Sequence, residues 1–187
     1  MPNWCNNTIR LVHENPAMII RARDALLNGT FFNEFVPVPK ELSETAESSA
    51  TPTEKIDANV EKYGYGSWYD FCVNEWGTKW DTEAHSVDVD PEYPDTLEAV
   101  FDTAWAPPIQ FYEKLERMGF QVEAKYYEPG MCFAGMYENG SDNYYDFSGS
   151  SASDVEQFIP EELDAEFGIS DTMYEYEAEQ EEMNPEE

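Results

Sequence analysis

Two periodicities alternate along the chain. Residues 4 to 12 alternate weakly around Ile9, Leu11 and Val12, which predicts a first strand. Asn15 then stands as a helix cap, with Pro16 at the first helical position and Gly29 just past the end. Met18, Ile19, Ala22 and Leu26 lie on one face of the helix between them. Phe31 to Val36 predicts a second extended run, stopped by Pro37 and Pro39. Residues 40 to 50, rich in Ser, Glu and Ala, predict a solvated loop. Thr51-Pro52-Thr53-Glu54 has the form of a capping box, and the helix it opens carries Ile56, Val60 and Tyr63 on one side before Gly64. Ser67 and Asp70 begin another helix, which sets Trp68, Phe71, Cys72 and Trp76 along one stripe before Gly77.

The second half is plainer. Leu97, Ala99, Phe101 and Thr103 alternate with Glu98, Val100 and Asp102, predicting a strand that ends before Pro107-Pro108. A helix follows with Phe111, Tyr112, Leu115 and Met118 inward and Gly119 as its stop. Phe120, Val122, Ala124 and Tyr126 then alternate with Gln121, Glu123 and Lys125. Pro129-Gly130 sets a turn into Met131 to Glu138, and Asn139-Gly140 sets a hairpin into Tyr144 to Phe147. The order of elements is that of an α+β, ferredoxin-like split β-α-β sandwich. A helical insertion at about 51–77 separates its halves, and a hairpin or meander is added at the end. One domain over 1–150 is expected, then an acidic extension over 151–187 with one helix at 154–167 and disorder from about 171.

Charge changes the picture most. Forty Asp and Glu against ten Lys and Arg leave a net charge of −30. Lys125 is the last base, so the final 62 residues carry 18 acids and no base, and the first 125 carry the other 22 acids against 10 bases. A chain so acidic lacks the clustered cations that nucleic acid or an anionic membrane requires of a direct partner. Cys5, Cys72 and Cys132 are odd in number and widely spaced, which points to reduced, buried thiols and to neither a disulfide framework nor a zinc site. The start MPNWCNNTIR has no apolar core of a signal peptide and no run approaches a membrane span, so a cytoplasmic location is expected.

Four segments, MPNWCNNTI, WYDFCVNEWGTKWD, FDTAWAPPI and YYEPGMCFAGMYENG, together resemble the YubB-type, ferredoxin-like family of small plasmid and phage proteins. They span most of residues 1 to 147. The resemblance implies an α+β sandwich and a mobile-element setting, and it brings no catalytic residues. Cys72 departs from the family pattern, where another bulky residue is usual, which speaks against a catalytic thiol.

Chemistry is sparse in the residues themselves. Asp81, Glu83 and His85 fall at i, i+2 and i+4, which on a strand puts all three on one face, as a metal-binding set requires. A strand of so acidic a protein also presents such groups by chance. No HExxH, GxSxG or phosphate loop is present, and neither a catalytic residue nor a cofactor is assigned. Trp68, Trp76, Trp80 and Trp105 are read as core, because the surrounding acids would repel the phosphates of any stacked base. Thirty charges match those on about 50 Å of duplex, or roughly fifteen base pairs. The expected function is therefore a non-catalytic acidic interaction protein, a DNA mimic whose partner is a host protein with a basic, DNA-binding surface. Asp142, Asp146, Asp154, Glu156, Glu161, Glu162, Asp164 and Glu166 form the expected interaction surface. The alternatives are a small metal-dependent enzyme using Asp81, Glu83 and His85, and a protein whose acidity serves solubility in salt.

Overall fold

A computed structural model of the chain describes residues 2–45 and 51–183. Strand β1 (Trp4–Val12) leads into helix α1 (Pro16–Leu27), where the Asn15 side chain accepts the Ala17 N–H at 3.0 Å. Four helices follow: α2 (Phe31–Phe35), α3 (Lys40–Ser43), α4 (Thr53–Tyr63) and α5 (Trp68–Glu75). Then come β2 (Ala84–Asp88), β3 (Thr96–Ala104), α6 (Ile109–Arg117) and the meander β4 (Gln121–Glu128), β5 (Phe133–Glu138) and β6 (Ser141–Asp146). The chain continues through α7 (Ala152–Phe158), α8 (Glu161–Phe167) and α9 (Ile169–Met183).

The six strands form one sheet in the order β2-β3-β1-β4-β5-β6, with every neighbouring pair antiparallel. This order states the split β-α-β plan. β1 and β2 run parallel with β3 between them, and β3 and β4 run parallel with β1 between them. Each helical crossover returns the chain in its original direction, which leaves one antiparallel slot to fill. The Asn139-Gly140 turn that joins β5 to β6 has both residues at positive φ, 52° and 74°, as a two-residue hairpin needs.

The strand alternation sorts side chains onto two faces. Ile9, Leu11, Leu97, Ala99, Phe101, Val122 and Ala124 point at α1, α2, α5 and α6 and form the main core. The opposite face is covered only in part. Helices α7, α8 and α9 lie over the meander, burying Ala134, Phe147, Val155, Ile159, Leu163 and Ile169 as a second cluster. The other half of that face stays open.

Several local expectations give way to tertiary contacts. The run Phe31 to Phe35 is a helix, because positions i, i+1 and i+4 then bring Phe31, Phe32 and Phe35 into one buried, edge-to-face cluster with Phe101 and Phe111. Each fully buried ring contributes about 1.5–3 kcal/mol of transfer free energy, which outweighs the strand preference of aromatic residues. Within the expected loop at 40–50, Lys40–Ser43 is helical and buries Leu42, while residues 46–50 lie outside the described residues. Helix α4 (Thr53–Tyr63) has Pro52 as its cap residue, one position later than the Thr51 of the expected box. At Ser67 the cap forms, its hydroxyl accepting the Asp70 N–H at 3.2 Å. Met118 follows the last turn of α6 and is exposed, not inward.

The largest difference lies at the end of the chain. One expected helix at 154–167 is two, α7 and α8, separated by Pro160. Where disorder is expected from 171, α9 runs as far as Met183, and residues 184–187 lie outside the described residues. Ile169 and Met173 reach the second cluster, Glu177 accepts the Ala152 N–H, and Tyr174 donates to Glu156. Burial against α7 supplies what the composition of α9 lacks on its own.

Candidate functional site

The proposed metal set is not brought together. Asp81 lies before β2 and turns inward, where its two oxygens accept the backbone N–H groups of Phe32 at 2.8 Å and Asn33 at 2.9 Å. It caps α2 from across the fold. Burial raises its carboxyl pKa, against the opposing pull of the N–H groups of Phe32, Asn33 and Thr82. Glu83 lies beside Gly29, beyond the end of α1. His85 occupies the bulge between Ala84 and Ser86 and meets Asp102 on the open face, Nε2 to Oδ2 at 2.8 Å. The bulge breaks the strict alternation on which the one-face argument rested. Among the described residues no group of three or more His, Cys, Asp and Glu side chains is placed to hold a metal ion.

The tryptophans divide. Trp76 is buried and its indole N–H donates to the Val36 carbonyl at 2.9 Å, while Trp68 is half-buried against the core. Trp80 and Trp105 are each 40% exposed, contrary to the expectation of core. Trp4 joins them at 46%, its ring 6.3 Å from Trp80, which is in turn 6.4 Å from Trp105. The three sit where β1 begins and β3 ends, at the margin of the sheet, so no second layer covers them. A shallow pocket of about 310 Å³ opens beside Trp80, walled also by Trp68, Trp76 and Asp81. Burial pushes the Cys72 thiol at this pocket up to about 12, an inert state at neutral pH.

Of the acids named above for an interaction surface, Asp164 is half-buried and the others are exposed, and most of them also hold local structure. Asp146 accepts from the Ser148 N–H and Asp154 completes a capping box with Ser151. Asp164 accepts the Ser170 N–H, and Asp142 accepts the Tyr126 hydroxyl at 2.7 Å. Glu156 takes the Tyr174 hydroxyl, while Glu162 and Glu166 face Lys125 at 3.9 and 3.5 Å. Glu161 stands exposed in the first turn of α8.

A groove of about 560 Å³ runs between the open half of the sheet and α8. Asp88, Glu98, Glu123, Glu138, Glu162 and Glu166 line it against two cations, Arg10 and Lys125. Both cations are already engaged: Arg10 bridges Glu98 at 3.9 Å and Glu123 at 3.3 Å across three neighbouring strands. The acids of the strands have a sequence signal, since Glu98, Glu123 and Lys125 are the outward members of the alternation. Their meeting with Arg10 and α8 depends on register and on where the last helices pack.

No protein-family model matches the chain, and no curated protein is similar to it. Among solved structures it is similar to one described as protein api92 from Yersinia pseudotuberculosis, of family model DUF1281. The identity is 9%, 78% of this chain and 98% of that chain are covered, and the TM-score is 0.42. Among the described residues no helix is long and apolar enough to cross a membrane.

Proposed function

We propose that the chain is a non-catalytic acidic interaction protein of a phage or plasmid, and that it occupies the DNA-binding surface of a basic host protein as a DNA mimic. The observation that carries this reading is the groove, in which six carboxylates face two cations that are already paired. A concave wall of one sign focuses its field on a partner of the other sign. Helices α7 to α9 add an array of carboxylates held in fixed positions by caps and packing, as a stand-in for regularly spaced phosphates requires. The mobile-element setting rests on the sequence resemblance. The metal-enzyme reading has no comparable support, because Asp81 caps α2, His85 meets Asp102 and Glu83 lies beside Gly29.

Affinity capture from a bacterial lysate at low salt tests this reading. The expected catch is a basic DNA-binding protein that duplex DNA displaces and that the combined variant Glu98→Gln, Glu123→Gln, Glu138→Gln and Glu166→Gln retains poorly. Recovery of no such protein, or of one that binds DNA and this chain at the same time, would overturn the mimic.

A further inference from the structure

The exposed indoles are the feature that a purely electrostatic reading leaves over. Trp4, Trp80 and Trp105 form a continuous row with ring centroids 6.3 and 6.4 Å apart, and each is 40–46% exposed. Trp105 holds its ring there at φ +67°, a left-handed backbone that is an outlier for so bulky a residue. Its N–H is tied to the Asn3 carbonyl at 2.9 Å, which fixes the strained turn against the start of β1. Strain of this kind persists where surrounding structure enforces it and concentrates at binding sites.

The chemistry of the occupant follows from what the rings already hold. Lys79 Nζ stands 4.7 Å from the Trp80 ring, 5.4 Å from Trp105 and 5.5 Å from Tyr69. The cluster therefore takes a cation on its faces within the protein itself. In a molecule of net charge −30, the long-range field draws further cations to the exposed indoles and repels phosphates. Among cations a flat, weakly hydrated guanidinium stacks on an indole better than a compact ammonium. Tryptophan and arginine are also the residues that most often dominate the energy of a protein interface.

We propose that Trp4, Trp80 and Trp105 form an anchoring patch for arginine side chains of the partner. The inference rests on the preceding reading only in taking that partner to be basic. The groove supplies attraction for any cation, and the indoles select guanidinium.

Oligoarginine and oligolysine peptides of equal length, titrated at fixed salt and followed by tryptophan fluorescence, separate the two contributions. The wild-type chain is expected to prefer oligoarginine, and Trp80→Ala to reduce that preference about tenfold. Trp105→Gly removes the ring and the backbone strain together, so thermal stability is expected to hold while the arginine preference falls. The groove variant described above is expected to weaken both peptides alike and to flatten the salt dependence.

Equal binding of the two peptides by the wild type, or an unchanged preference in folded Trp80→Ala and Trp105→Gly, overturns the patch and leaves the acidic reading standing. Failure of both peptides to bind overturns both. A proline-rich peptide or a single-stranded oligonucleotide that quenches these tryptophans where oligoarginine does not would also overturn it.

Discussion

Asp81 and Phe32 are joined across 49 residues of chain by a 2.8 Å hydrogen bond, in which a half-buried carboxylate accepts a backbone N–H from the first turn of a five-residue helix. Its other oxygen serves Asn33 at 2.9 Å. This pair explains both the helix at 31–35 and the loss of the metal set. Asp81→Ala leaves the N–H groups of Phe32, Asn33 and Thr82 without this acceptor and should cost about 2–3 kcal/mol, measured by urea unfolding. Asp81→Asn keeps one acceptor oxygen and should cost less. Zinc or magnesium added to the wild-type protein should leave its Tm unchanged.

The pH dependence of stability follows from two opposed groups of carboxyls. Burial raises the pKa of Asp81 and of Asp142, the latter against its hydrogen bond from Tyr126. Protons therefore bind these two more tightly in the folded state. Their contribution to stability is fully present below the unfolded value of about 4 and is lost as pH rises through the folded pKa. Hydrogen bonds from Lys62 and Tyr63 hold Glu41 down to about 2, and those from Ser148 and Ser151 depress Asp146 and Asp154. The contributions of these three are present above the unfolded values and are lost as pH falls through the folded ones. Stability by thermal unfolding should thus rise as pH is lowered from neutral, reach a maximum in mild acid and fall below it. Asp142→Asn should flatten the neutral limb.

Helix α9 depends on its first residues. Ile169 is fully buried in the second cluster, so Ile169→Ala should cost about 2–4 kcal/mol locally. Hydrogen exchange should show loss of protection in α7 and α9 with little change in α1 and α6. Exchange of α9 in the wild type as fast as a free peptide would contradict the packing.

Gly135 sits in β5 beneath the Tyr126 ring. A Cβ at Gly135 would overlap the Tyr126 hydroxyl end and lie 2.8 Å from the Asn143 carbonyl oxygen. Gly135→Ala should destabilise by about 1–3 kcal/mol, read from the shift in the urea midpoint, and Tyr126→Phe should relieve part of that clash.

The legible part of the fold was its periodic part. The alternation of Leu97 to Thr103 and Phe120 to Tyr126, the Asn15 and Ser67 caps and the Asn139-Gly140 turn each concern neighbours a few residues apart, and each forms as its spacing predicts. The misread segments share one property. Phe31–Phe35, Trp80, Trp105 and α9 have their state set by partners distant in the chain, such as Asp81, Asn3 and the cluster around Val155. The outward acids of β3 and β4 were readable as positions, while their assembly into a groove was not.

By itself the sequence determined the strand and helix order, the split β-α-β plan and the excess of negative charge, because periodicity, caps and composition act locally or add up without regard to shape. Only the tertiary structure decided which carboxylates cap helices, which line the groove, and which indoles face water. Those outcomes depend on strand register and on how far α7 to α9 extend over the sheet, and both are settled by burial between segments far apart in the chain.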